Sequence, residues 1–312
     1  MSQIVTFSLN PAVDFSARAP GGVAPGPKLR CEELRVEPGG GGLNVARVLQ
    51  RLGDDVLAVW TCGGPLGELL AQLLEAEQLA ARAIPIQGET RFSLAVTDGE
   101  SERQFRFNFA GPALGARDTH ACLDVVRRLS PRPAYLVLSG SIPPGVDQDL
   151  YARMAAAAGE SVRVVVDASG AALREALQAS PFLVKPNLRE LREATGEALE
   201  SDEELEAAAS GLVADGRAQA LLVTLGAGGA VLVEDGRVTR LRSPTVTVRS
   251  KVGAGDATVA GLVHRLVGGA QLVEAARYAV AAGAAAVMTP GSELCRPADV
   301  ERLAGQVEVT GP

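Results

Sequence analysis

Short runs of consecutive apolar residues alternate along this chain with stretches whose apolar positions recur every three to four residues. Ile4–Leu9, Val56–Cys62, Ala134–Ser139, Val162–Asp167, Phe182–Lys185 and Ala220–Leu225 are largely apolar at successive positions. A strand with one wet face would alternate, so these runs predict strands buried on both faces. Between them, Gly42–Leu52, Leu66–Leu79, Arg117–Leu129, Leu150–Ala158, Ala171–Gln178, Leu188–Thr195 and Asp202–Val213 carry helical periodicity. The pattern predicts an α/β fold: a mostly parallel central sheet with helices on both faces, and ligands at the carboxyl ends of the strands.

Two segments break the rhythm. Residues 12–37 are rich in Pro, Gly and charge, while Arg91–Val96 and Arg103–Phe109 alternate strictly around a turn at Asp98-Gly99. Strict alternation predicts a hairpin with one polar and one apolar face. Four of the seven phenylalanines, Phe92, Phe105, Phe107 and Phe109, lie in it. Because a lone hairpin cannot bury such a face, the two segments (about 12–37 and 89–110) are expected to form a small β-lid, its apolar side covered by a second subunit of a homodimer. The rest of 1–312 reads as one domain.

Composition narrows the partners. A net charge of −7 without a basic stripe argues against nucleic acid, and no apolar run is long enough to span a membrane. No basic leader precedes the first strand, and Cys31, Cys62, Cys122 and Cys295 are far apart with no CxxC pair, which fits a reducing, cytoplasmic compartment. Of 30 lysines plus arginines only Lys28, Lys185 and Lys251 are lysine, leaving 27 arginines. A chain so biased toward arginine keeps lysine where a compact ammonium is wanted, or by chance. His120 and His264 sit in ordinary helical contexts.

The strongest chemical signal is Gly253-Ala254-Gly255-Asp256, between an extended run at Pro244–Val248 and a helical run from Ala257. Glycines at a helix N-terminus let bare N–H groups converge on an anion. An acidic side chain there reads either as a helix cap or as a general base beside a transferring phosphoryl group. Familiar nucleotide fingerprints are missing: there is no Gly-Lys dipeptide, and Gly39–Gly42 follows Glu37-Pro38 rather than an apolar strand. The Gly226–Gly229 run leads into a strand, so a dinucleotide-binding oxidoreductase is disfavoured.

Taken in order, Pro38-Gly39-Gly40-Gly41-Gly42-Leu43-Asn44-Val45-Ala46, Ser139-Gly140-Ser141-Ile142-Pro143-Pro144-Gly145, Lys185-Pro186-Asn187-Leu188-Arg189-Glu190 and Val252-Gly253-Ala254-Gly255-Asp256 resemble the signatures of the ribokinase-like (pfkB) carbohydrate kinases over essentially the whole chain. The resemblance implies a three-layer α/β/α sandwich and an ATP- and Mg²⁺-dependent kinase. The four-glycine run, Lys28–Cys31, Gln104–Phe107 and Gly291–Cys295 point to the phosphosugar branch. Their resemblance within that branch implies fructose 6-phosphate as acceptor, with fructose 1-phosphate or tagatose 6-phosphate as the alternatives. A non-catalytic sugar-binding regulator on the same fold is the remaining alternative.

The resemblance also assigns roles. Asp256 would be the base, with Gly253, Ala254 and Gly255 as the anion turn. Asp14, Gly39, Gly40, Gly41, Gly42, Asn44 and Ser139 would contact the sugar. Arg91 and Arg106, with Lys28 from the partner subunit, would hold its phosphate. Lys185, Asn187, Thr224, Gly226, Gly229 and Lys251 would serve the nucleotide, and Glu190 the Mg²⁺ through water. Asn187 and Glu190 equally spell a helix capping box. Lys251 stands where relatives carry a neutral or small residue; it would either touch ATP or disturb a K⁺ site built from this loop and Thr289–Glu293.

Overall fold

The computed structural model describes residues 3–26 and 28–311; the extreme ends of the expected 1–312 domain and Pro27 of the 12–37 segment lie outside them. The chain opens with β1 (Ile4–Ser8), β2 (Ala12–Ala19), β3 (Glu32–Gly39), α1 (Gly41–Arg51), β4 (Val56–Cys62), α2 (Gly64–Ala76), β5 (Ala81–Pro85), β6 (Arg91–Asp98) and β7 (Gln104–Asn108). It continues through α3 (Ala116–Arg127), β8 (Tyr135–Ser139), α4 (Leu150–Ala158), β9 (Arg163–Asp167), α5 (Gly170–Ala176), β10 (Leu183–Val184), α6 (Leu188–Thr195), α7 (Asp202–Ala214) and β11 (Ala220–Thr224). β12 (Ala230–Glu234), β13 (Arg237–Arg242), α8 (Ala254–Val267), α9 (Leu272–Ala286), α10 (Pro297–Ala304) and β14 (Glu308–Thr310) complete it.

The apolar runs become the centre of a ten-stranded sheet in the order β14-β13-β12-β11-β10-β9-β8-β1-β4-β5. From β5 to β11 all pairs are parallel; β12, β13 and β14 extend the edge antiparallel. Successive residues of each strand enter opposite cores, as a period of two requires. Ile4, Tyr135, Val137 and Val165 pack with α1, α2, α8, α9 and α10 on one face. Val5, Phe7, Leu136, Leu138 and Val166 pack with α3 to α7 on the other. This is a three-layer α/β/α arrangement.

Chain direction across the sheet reverses beside β1: the order runs β1-β4-β5 one way and β8 to β11 the other. Such a switch point opens a crevice at the carboxyl ends of the two strands that flank it, here β1 and β8. The glycine run crosses that crevice. A Cβ on Gly42 would stand 2.5 Å from the Phe7 carbonyl oxygen of β1, and one on Gly41 would stand 2.4 Å from Ser139 Oγ of β8. Only glycine lets α1 begin so close to both strands.

The two irregular segments pair into one small sheet, β3-β2-β6-β7. β2 runs parallel to β6, with Asp14 opposite Ser93 and Phe15 opposite Leu94; β6 and β7 form the expected hairpin, with Ala95 opposite Arg106 and Leu94 opposite Phe107. The register puts polar side chains on one face and Phe15, Leu94, Phe105 and Phe107 on the other.

Two expectations differ from the structure. Pro244–Val248 forms no strand: Pro244 lacks a ladder donor and Val248 is exposed. α8 starts at Ala254, three residues earlier than its apolar pattern, with Gly253 capping it at φ +73°. Asp256 therefore lies inside the first turn.

Candidate active site

Above the β1/β8 crevice lies a cleft of about 270 Å³. Its floor includes Gly40, Gly41, Asn44, Gly140, Gly253 and Asp256; its roof is the polar face of the small sheet, with Asp14, Ser16, Arg91, Ser93, Gln104, Arg106 and Asn108. Gly291 and Ser292 close one side. Residues from the first and last quarters of the chain thus meet across one space. Gly39, at the end of roof strand β3, and Gly42, beneath the floor, stand just off its surface: a Cβ on Gly39 would collide with the Asp14 carboxylate, and one on Gly42 with β1.

Asp256 is the centre of the electrostatics. Asn44 Nδ2 donates to its Oδ2 at 2.9 Å. Burial, reinforced by the Asp167 and Asp14 carboxylates, outweighs the Asn44 hydrogen bond and the Lys185 charge, and its pKa is pushed up to about 7. A carboxyl group poised there can both take and hold a proton near neutrality. Lys185, buried at the end of β10, pairs with Asp167 Oδ1 at 3.0 Å. Burial would lower this ammonium, but Asp167, Glu190 and Asp256 together hold it above its usual value, so it stays a cation. A Cβ on Gly255 would stand 3.6 Å from Lys185 Nζ and 4.0 Å from Asp167 Oδ2. The first turn of α8 and this ammonium therefore converge, as an anion site requires.

On the roof, Arg91 Nε donates to the Asn10 carbonyl at 3.1 Å, and burial lowers the guanidinium's pKa against the pull of Asp14. Arg91 and Asn108 also line a neighbouring hollow of about 530 Å³ with Asn10 and 141–146. Ser139 Oγ and Asn10 Oδ1 are buried without a hydrogen-bond partner. Ser139 lies under Gly41 rather than on the cleft surface.

The remaining expected residues are spread along the carboxyl edge. Asn187 caps α6 and exchanges hydrogen bonds with Glu190 at 2.8 and 3.0 Å, the reciprocal box legible in the sequence. Thr224 bridges to Asn187 at the end of β11. Gly226, at φ +60°, opens the turn beyond it. Beside that turn, Leu225, Ala227, Gly228, Arg242 and Ser243 line a further cavity of about 470 Å³. Gly229 answers to packing, since a Cβ would stand 1.9 Å from the Leu241 carbonyl oxygen. Lys251 is exposed beside the cleft, and Lys28 is exposed in the β2–β3 connection, away from its own chain's cleft.

The model of the pfkB family carbohydrate kinases matches residues 1–299. The chain belongs to that family. Among curated relatives, it is 40% identical over 302 residues to ATP-dependent 6-phosphofructokinase isozyme 2 of Mycobacterium tuberculosis, covering 96% of this chain and 88% of the relative. It is 36% identical over 309 residues to 1-phosphofructokinase of Rhodobacter capsulatus, covering 98% and 97%. Among solved structures, phosphofructokinase-2 of Escherichia coli in complex with potassium superposes with a TM-score of 0.93 at 35% identity, covering 98% of this chain and 99% of that one. The same enzyme has been solved with fructose-6-phosphate (TM-score 0.91, 34% identity, covering 98% and 99%). A tetrameric inhibited form is also known (TM-score 0.91, 35% identity, covering 98% and 99%).

The protein is therefore a carbohydrate kinase. No helix among the described residues is long and apolar enough to cross a membrane. Three features of this kinase's site were not read from the sequence. Asp167 ends an apolar strand, a signal in itself, yet its meaning depends on Lys185, 18 positions away, standing beside it. Glu37 accepts from Ser292 N at 3.2 Å and Oγ at 3.0 Å, tying the small sheet to the 291–294 loop. Arg47 lies buried beneath Asn44.

Proposed function

We propose that this kinase transfers the γ-phosphoryl group of ATP to fructose 6-phosphate, giving fructose 1,6-bisphosphate. The observation that carries this reading is a buried carboxyl group, with its pKa near 7, on the first turn of α8 at the floor of a cleft whose roof holds Arg91 and Arg106. A hydroxyl at one end of a sugar phosphate meets Asp256 while the phosphate at the other end meets guanidinium groups.

With Oδ2 held by Asn44, Asp256 Oδ1 takes the proton of the sugar hydroxyl. The hydroxyl oxygen bonds to the γ-phosphorus as the bond to the β-γ bridging oxygen breaks and ADP leaves. Charge on the transferred group faces the N–H groups of Gly253–Gly255 and the Lys185 ammonium. Asp14, Gly39–Gly42, Asn44 and the unpartnered Ser139 Oγ serve the sugar. Thr224, Asn187, Gly226 and the hollow beside them serve the nucleotide, with Gly229 shaping the turn and Lys251 at its margin.

Among the described residues no group of three or more His, Cys, Asp or Glu side chains forms a metal cage. Glu190, half-buried at the head of α6 with Lys185 beside it, would hold a hydrated Mg²⁺ through its waters. Bound there, Mg²⁺ neutralises phosphate charge. For K⁺, the two implicated segments meet: Arg249 N donates to the Val287 carbonyl at 2.7 Å and Ser250 Oγ to the Gly291 carbonyl at 2.9 Å. The 12–37 and 89–110 segments act as a lid on a single domain. Two lids close a homodimer in the cytoplasm, each bringing Lys28 to the other subunit's phosphate.

The direct test is stoichiometric: ADP release is expected to match fructose 6-phosphate consumption one to one, whereas ADP release without sugar would contradict the reading. Charge-assisted bonds are worth roughly 1.5–3 kcal/mol each. Arg91→Ala or Arg106→Ala is therefore expected to raise KM for fructose 6-phosphate by about 10- to 100-fold with a smaller change in kcat. Efficient use of unphosphorylated fructose by the wild type would contradict the arginine argument.

A further inference from the structure

A primary amide has two ends of nearly equal size, so only its neighbours decide which end faces Asp256. Asn44 presents its NH₂ to Asp256 Oδ2. Its oxygen faces Arg47, whose Nη1 donates to Asn44 Oδ1 at 3.3 Å, to the Pro38 carbonyl at 3.0 Å and to the Ser292 carbonyl at 3.3 Å. A guanidinium has no acceptor. A turned amide would set NH₂ against this cation and carbonyl oxygen against the Asp256 carboxylate, which is unfavourable at both ends.

Arg47 is itself fixed. Its side chain is 2% exposed, and Glu77, just past the end of α2, grips it as a fork, Nε to Oε2 at 2.7 Å and Nη2 to Oε1 at 2.6 Å. Nothing about sugar or nucleotide binding requires a buried arginine one helical turn below the cleft, and Arg47 does not line the cleft. Besides Glu77, its acceptors are the amide that touches Asp256, the Pro38 carbonyl just before the glycine run and the Ser292 carbonyl on the side of the cleft.

We infer that Arg47, clamped by Glu77, is a positioning residue that fixes the Asn44 amide with its donor toward Asp256 and ties it to Pro38 and Ser292. The inference rests on Asp256 acting as the base. The charged groups around Arg47 are Glu77, Arg51 one turn along α1, and Asp14 on β2. Those facing Asp256 are Asp167, Lys185 and Asp14. The Asn44 hydrogen bond favours the ionised base, so losing its orientation moves the acid limb of the pH profile to higher pH and lowers kcat. A merely structural arginine would change stability and active fraction and leave the limb where it was.

The test is Arg47→Met/Glu77→Met, which removes both charges together and leaves no uncompensated ion. Its kcat is expected to fall about 10-fold and its kcat/KM acid limb to rise by roughly half a unit to one unit, with little change in KM for ATP. In an Asn44→Leu background the same pair should move the limb no further, because the amide it orients is gone. Should the pair fail to fold, Glu77→Gln loosens the fork without emptying it and is expected to shift the limb in the same direction by less. An unmoved limb in whichever variant folds, or equal shifts with and without Asn44, overturns the inference. A wild-type limb that survives in Asp256→Asn would instead overturn the assignment of the base.

Discussion

Asp256→Asn is expected to lower kcat by about 10²- to 10⁴-fold while substrate binding is largely kept, the usual scale for loss of a general base. Asparagine preserves size and can still accept from Asn44, so the loss reports proton transfer rather than packing. The same substitution is expected to stabilise the fold at pH 8. Burial and the Asp167 charge push the pKa in the fold to about 7, above its ordinary value of 3.8. The folded state therefore favours the protonated group: that stability is full below about pH 4 and is lost as pH rises through about 7. Above that, the wild type carries a buried carboxylate that the variant lacks. Thermal unfolding should show the variant ahead by several degrees at pH 8, the gap closing as pH falls toward 4. Unchanged turnover removes Asp256 from the role of base; equal stability at both pH values would mean that its ionisation is not penalised.

Phe107→Glu is expected to abolish the proposed dimer. Phe107 is 48% exposed, with Phe105 and Phe109 on either side of it along the same outer face, and Leu34, 67% exposed, lies on β3 at the far edge of the small sheet. Phe92 anchors this face by stacking on Phe109 at 4.3 Å and meeting Phe15 edge-on at 6.0 Å. An exposed aromatic face on an edge strand invites a partner. A charge placed at its centre would be buried without a counter-ion, costing about 3–5 kcal/mol, or roughly a hundred- to several-thousandfold in affinity. In a two-fold interface it enters twice. Sedimentation at micromolar concentration should show monomers, or the variant should be insoluble, and kcat/KM should fall because the roof of the cleft loses its support. A wild type that is monomeric and fully active would contradict the arrangement.

The sequence exposed those parts of the molecule whose local chemistry is self-sufficient. β4, α4 and α6 coincide with their predicted bounds, because a continuous apolar strand, an apolar helix and the Asn187–Glu190 box each carry their own signal. α9 was not legible: Leu272–Ala286 is mostly alanine and buried on nearly every side, so no polar face marks its period. β5, with four of its five residues exposed, shows no apolar run. At the site, the glycine run, Asp256 and the hairpin arginines were visible because glycine and charge stand out in apolar surroundings. The Lys185–Asp167 pair and the Glu77–Arg47–Asn44 chain were not, since the partners are 18 and 30 positions apart and only the parallel sheet, with α1 and α2 both laid on β4 from the same face, brings them together.

The most direct test of the central claim is kcat/KM with ATP for fructose 6-phosphate, fructose 1-phosphate and tagatose 6-phosphate, measured side by side on the wild type. The cleft's charge and span suit each of them, and the order rests on the phosphofructokinase-2 likeness. Fructose 6-phosphate is expected to give the highest value, with fructose 1,6-bisphosphate as product. A higher value for either competitor would contradict the substrate while leaving the kinase chemistry of Asp256 in place, and no sugar-dependent ADP release with any of the three would contradict the account itself.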